Sequence, residues 1–255
     1  MDSVDVWTNP ELFQLDEDLN PTSIAGVPPD YFSEKGQLWG NPVFDWENHV
    51  NSNFEWWLER VRNTLQWVDL IRLDHFRGFE SFWSVHFSEK TAINGTWEKA
   101  EGRKLFDCLK SEFEELPFIA EDLGVITSEV EALRDDYQMA GMKILQFAFD
   151  SNDENDFKPH CYTKNTVVYT GTHDNDTLQG WIDQADQKDI DLASAYFSSS
   201  KLSPFDFISS AWASVSDVAI TTMQDVLNKG SESRMNIPGT PEDNWDWRFD
   251  WSELS

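Results

Sequence analysis

A chain of 255 residues with 19 Lys and Arg against 47 Asp and Glu has a formal charge of −28, too few cations to gather the basic face that nucleic acids or anionic membranes require. Hydrophobic residues make up 40%, enough for a large core in one big domain or two small ones, so disorder is excluded despite the acidity. The two cysteines, Cys108 and Cys161, fall in no CxxC or Cys/His pattern, no stretch of about 18 apolar residues spans a membrane, and residues 1–5 lack the regions of a signal peptide, so a soluble chain in a reducing compartment is expected.

The first fifty or so residues show no regular alternation. Segments 26–32 and 36–42 are dense in Gly, Pro and aromatics and read as a long ordered loop, the kind that serves as a lid or binding loop. Residues 54–68 then place Phe54, Trp57, Leu58, Val61, Leu65 and Val68 on one helical face, and residues 68–74 follow as a buried strand ending in charge. The unit recurs. Leu105, Cys108, Leu109 and Phe113 mark a helix, and residues 116–120 a strand that closes on Glu121 and Asp122. Ser128 and Glu131 resemble a capping box for a helix carrying Val130, Leu133 and Tyr137. Residues 142–149 and 166–170 read as strands, Ser203 and Pro204 as the start of a helix with Phe207, Ile208, Ala211, Trp212 and Val215, and residues 219–223 as a last strand. Strands alternating with amphipathic helices predict parallel strands covered by helices, an α/β architecture that is either an open doubly wound sheet or a (β/α)8 barrel.

In such folds the active site lies at the carboxyl ends of the strands, and Asp74, Glu121 and Asp174 close three of them. Paired carboxyls are what retaining glycoside chemistry needs: one attacks the anomeric carbon and the other, with a raised pKa, protonates the leaving oxygen. A third offsets positive charge in the transition state. Arg72, two residues before Asp74, shares its strand face and is placed to hold it ionised, while His75 and His173 serve as hydroxyl donors. The 13 Trp, 18 Phe and 5 Tyr in so polar a chain fit surfaces that stack on sugars. Acids after strands also cap helices and solvate loops: Asp69 and Asp122 read as strand-end solvation, Asp176 as a helix cap, and Trp56, Trp57 and Trp67 as core. The histidines show no HExxH or HxH spacing, and GxGxxG, P-loop and GxSxG patterns are missing, so neither a metal nor a cofactor is expected.

Three strings, Ile71-Arg72-Leu73-Asp74-His75-Phe76-Arg77-Gly78-Phe79, Ile119-Ala120-Glu121-Asp122-Leu123-Gly124 and Thr172-His173-Asp174-Asn175-Asp176-Thr177, resemble the signature blocks of the amylomaltases. These are bacterial and plastid 4-α-glucanotransferases, or disproportionating enzymes, of the α-amylase-like clan. Segments 26–32 and 36–42, and Arg234-Met235-Asn236-Ile237-Pro238-Gly239-Thr240 with Asn244, Trp245 and Arg248, resemble that family too. The resemblance runs from Asp2 to about Trp251.

It implies a partial (β/α)8 TIM barrel holding strands 4 to 8 and the end of strand 3, a single incomplete catalytic domain over residues 1–255 with 8–60 as a loop or insert region beside the site. It further implies Asp74 as nucleophile, Glu121 as general acid/base and Asp174 as transition-state stabiliser. Arg72, His75, His173 and Asp2 would contact the sugar, and the loops of Tyr31 and Trp39 would hold acceptor and keep water out. The implied partners are α-1,4-glucan or maltooligosaccharide donors and acceptors, with no nucleic acid, membrane or cofactor, in a cytoplasmic or plastid setting. Rival readings are a hydrolase of the same clan and a non-catalytic glucan-binding fragment. An incomplete barrel leaves open sheet edges, so the isolated chain is expected to associate and to turn over far below a full-length relative.

Overall fold

Whether strands run parallel decides where a site can form, and in one of the two sheets the described pairs do. The computed structural model describes residues 3–29, 33–150, 155–240 and 242–254, and the chain divides into two compact units, Met1–Met139 and Ala140–Ser255.

The first unit opens with α1 (Val4–Thr8), capped by the Ser3 hydroxyl accepting from Val6 N–H. It continues through β1 (Ser23–Val27), β2 (Gln37–Pro42), α2 (Trp46–Asn51), α3 (Glu55–Thr64), β3 (Ile71–Leu73), a 3-10 turn at Phe76–Phe79, β4 (Ser81–His86), β5 (Gly95–Lys99), α4 (Gly102–Phe113), β6 (Phe118–Ala120) and α5 (Ser128–Asp136). β3 and β6 are parallel, with Arg72 opposite Ile119 and Leu73 opposite Ala120. The core beneath them gathers Phe76, Leu105, Phe106, Leu109 and Leu133, each almost fully buried.

Three expectations for this unit are corrected. Segments 26–32 and 36–42 are not wholly loop: β2 pairs antiparallel with β1, and β1 with β4, in a sheet ordered β2-β1-β4-β5. The small residues that suggest a loop serve a close approach of two strands, since a Cβ at Gly26 would meet the Gln37 carbonyl oxygen at 2.2 Å. The α5 cap is Thr127 rather than Ser128, and no side-chain cap bond forms there, although Val130 and Leu133 are buried as the periodicity requires. Among the tryptophans expected in the core, Trp57 is buried and Trp56 partly so, whereas Trp67 is 87% exposed because α3 ends before it.

The second unit contains β7 (Ala140–Ile144), β8 (Thr166–Tyr169), α6 (Leu178–Gln184), α7 (Gln187–Phe197), α8 (Pro204–Trp212), β9 (Val218–Ile220) and α9 (Met223–Val226). The three strands are parallel in the order β7-β8-β9. The strand expected over 142–149 stops at Ile144, and Leu145–Phe149 form a 3-10 turn. That run stays apolar because Leu145, Ala148 and Phe149 turn under the sheet into the core. α8 begins as its sequence predicts, with Pro204 at its start and a capping box between Ser203 and Asp206. Among the described residues no helix is long and apolar enough to cross a membrane, and no group of three His, Cys, Asp or Glu is gathered to hold a metal ion.

Candidate active site

Asp74 and Glu121 follow directly on β3 and β6, so adjacent parallel strands deliver both to the same end of the pair. Arg72 and Asp74 share a face: Arg72 Nη1 lies 2.7 Å from Asp74 Oδ1, with the Asp74 side chain 77% exposed and that of Arg72 32%. Alternation along the strand dictates this pairing.

The chain then turns sharply at His75, whose φ of 47° is left-handed. A non-glycine residue there is strained, and the gain is local: the His75 N–H donates to Glu121 Oε2 at 2.7 Å. The Glu121 backbone is held as well, its N–H donating to Leu73 O and its carbonyl accepting from Phe76 N–H. The His75 ring meets the edge of Trp39, centroids 4.6 Å apart at 88°, and a Cβ on Gly78 would come within 3.1 Å of His75 Cδ2. The sequence Asp74-His75-Phe76-Arg77-Gly78 is thus a turn folded around one imidazole.

Burial pushes the Glu121 carboxyl up to about 7, and the Asp74 charge pushes the same way; Arg72 and the His75 amide oppose them. Burial also lowers the His75 imidazole, against the pull of Asp74. Near neutrality one carboxyl is therefore half protonated beside another paired to a guanidinium. Arg72 and Asp74 also line a cleft of about 460 Å³ with Ser3, Asn41, Phe44 and Trp56.

Asp122, expected to be strand-end solvation, is instead a buried ion pair. Its side chain is 5% exposed and bonds Arg134 of α5, which anchors the segment after Glu121.

In the second unit Asp174 lies on the loop after β8. Its Oδ1 accepts from Asn236 Nδ2 at 2.6 Å, and its Oδ2 lies 3.4 Å from His173 Nε2. The His173 ring packs beside Trp245, 5.2 Å between centroids, and both line a cleft of about 170 Å³ with Asn175, Asp176 and Arg234. The loop rests on Asp225, a buried carboxylate that accepts from Thr170 Oγ1 and Leu178 N–H. Asp176 does not cap α6. That position belongs to Thr177, whose hydroxyl accepts from Gly180 N–H, while Asp176 accepts from Ser231 Oγ.

Arg72, Asp74, His75, Glu121 and Trp39 are thus neighbours in one unit, and His173 and Asp174 in the other. Asp2 and Tyr31 lie outside the described residues. Residue-type reasoning missed Asn236 and Trp245 as neighbours of the Asp174 loop. Neither carries a titratable group, and about sixty residues separate them from it.

A family model described as 4-alpha-glucanotransferase matches residues 1–253. The chain is 50% identical to a 4-alpha-glucanotransferase of Synechocystis sp., covering 100% of this chain and 51% of that protein. It is 48% identical to one of Thermus thermophilus, covering 100% and 53%. The solved amylomaltase of Streptococcus agalactiae, in complex with acarbose, superposes with a TM-score of 0.95 at 42% identity, over 100% of this chain and 52% of that one. The chain spans about half the length of the relatives it matches.

Proposed function

The chain belongs to the 4-alpha-glucanotransferase family, and from that premise we propose that it carries the acid pair of an α-1,4-glucan transferase working by retaining double displacement. Asp74 attacks the anomeric carbon while Glu121 gives its proton to the departing glycosidic oxygen. A glucosyl ester forms on Asp74. Glu121, now ionised, takes the proton from the 4-hydroxyl of an acceptor sugar, which displaces Asp74 and restores the configuration. In this reading Asp174 has the role of offsetting the positive charge that develops on the sugar ring, and Arg72, His75, His173 and Asp2 are assigned as its further sugar-binding residues.

The observation that carries this reading is the state of Glu121. A carboxyl poised at about 7 gives a proton in the first step and takes one in the second, while its neighbour, oriented by the ion pair with Arg72, is left to attack. Transfer outruns hydrolysis when acceptor is held and water excluded; the Trp39 strand and the loop of Tyr31 are assigned that task. The proposed setting of these strands is a partial (β/α)8 barrel, in bacterial cytoplasm or a plastid.

Incubation with maltotriose tests the reading. Glucose together with longer chains, at constant reducing power, is the expected product pattern; new reducing ends would indicate a hydrolase. Asp74→Asn lowers transfer by at least roughly a thousandfold. Because the chain spans about half of its relatives, a glucan-binding piece is the second reading, supported if amylose retards the chain in a native gel, unchanged by Asp74→Asn, with no turnover.

A further inference from the structure

We propose that Arg234 and Asn236 are positioning residues that aim the Asp174 carboxylate, Asn236 holding its side chain and Arg234 its backbone. The proposal rests on the reading of Asp174 as the acid that faces the sugar.

The contacts form one closed figure. Asn236 Nδ2 donates to Asp174 Oδ1 at 2.6 Å. Arg234 Nη2 donates to the Asp174 carbonyl at 2.6 Å, and Arg234 Nε donates to the Asn236 carbonyl at 2.9 Å. A single guanidinium therefore joins the backbones of two loops some sixty residues apart, and the amide between them reaches the carboxylate. The segment bearing the pair is itself fastened. Trp245 N–H donates to Met235 O at 2.7 Å, Ile237 N–H to Asn244 Oδ1 at 2.8 Å, and Asn244 Nδ2 to Thr240 O at 2.8 Å.

The division of labour has a chemical reason. The Asp174 side chain is 47% exposed, so water competes for it and two free torsions leave it without a fixed direction. A neutral amide fixes one oxygen without cancelling its charge, whereas a guanidinium on the carboxylate would neutralise it. Arg234 directs these donors to carbonyls instead, stiffening the loop while the negative charge stays available to oppose a developing cation.

Two measurements on the full chain test this. The Asn236 side-chain amide resonances, assigned by their loss in Asn236→Ser, are expected to shift and to exchange with solvent at least about tenfold faster in Asp174→Ala, but not in Asp176→Ala. In transfer assays Asn236→Ala is expected to lower kcat by about 10- to 100-fold with KM within about threefold, the mark of a misaimed group that acts in the transition state. Arg234→Lys, which keeps one donor, is expected to fall between Arg234→Met and wild type.

Amide signals indifferent to Asp174→Ala would overturn the proposal. So would wild-type kcat in Asn236→Ala while Asp174→Asn is inactive. Wild-type chain without any turnover would count against the transferase reading alone, and the amide measurement would then decide the positioning.

Discussion

Glu121 is where residue chemistry has its widest reach. A carboxyl whose folded value is about 7 against an ordinary 4.5 favours the folded state only while protonated. Its contribution is complete below about 4.5 and is lost as pH rises through about 7. Glu121→Gln, which cannot ionise, is therefore expected to be more stable than wild type by roughly 3 kcal/mol above pH 8 and nearly equal to it at pH 4; urea titrations at both values check this. Transfer should show the reverse cost, with activity falling on the basic side as the proton leaves. His49 has the opposite sign. It is fully buried among Phe44, Trp46, Trp56 and Trp57, and neither ring nitrogen forms a hydrogen bond. Burial lowers its imidazole below 6.5, against the pull of the Leu12 carbonyl and Asp45. Stability linked to it is present above 6.5 and is lost as pH falls. The stability of His49→Leu relative to wild type should thus rise between pH 7.5 and pH 5, and the same unfolding experiment reads it.

At the scale of elements, the turn that carries His75 is pinned from behind by α4. A Cβ on Gly102, the first residue of that helix, would meet the Phe79 carbonyl oxygen at 2.1 Å, so helix and turn touch backbone to backbone. Gly102→Ala is expected to cost about 2 kcal/mol although alanine favours helices, measured by thermal unfolding. The sequence makes elements legible where one rule dominates: α8 follows from Ser203 and Pro204, and β6 from Phe118, Ile119 and Ala120 running into Glu121, whereas the buried strand expected over 68–74 shrinks to a half-exposed β3 at 71–73. It misleads where a residue answers to a distant partner. Gly26 looks like loop punctuation but lies under Gln37 of the neighbouring strand. Leu145 and Phe149 look like strand but serve a buried turn. The left-handed backbone of His75 leaves no trace in residue type, yet it supplies the amide that holds Glu121. Asn236 and Trp245 reach the Asp174 loop through folding alone.

For the molecule as a whole, apolar surface and charge oppose each other. Among the described strands β3 pairs only with β6, and β9 only with β8. Val218, Ile220, Phe205 and Trp212 are exposed on and near β9, as are Trp67, Val68 and Leu70 just before β3. Such edges invite association, while a charge of −28 repels like copies until salt screens it. Light scattering is expected to show a mass above that of one chain, increasing between about 20 and 500 mM salt; a single-chain mass throughout would refute this. The groups that set Glu121's proton affinity, Asp74, Arg72, His75 and Asp122, all precede Met139, whereas Asp174, Arg234 and Asn236 all follow it. The carboxyl poised near neutrality and the acid proposed to offset a cationic ring are thus written in separate halves of the sequence.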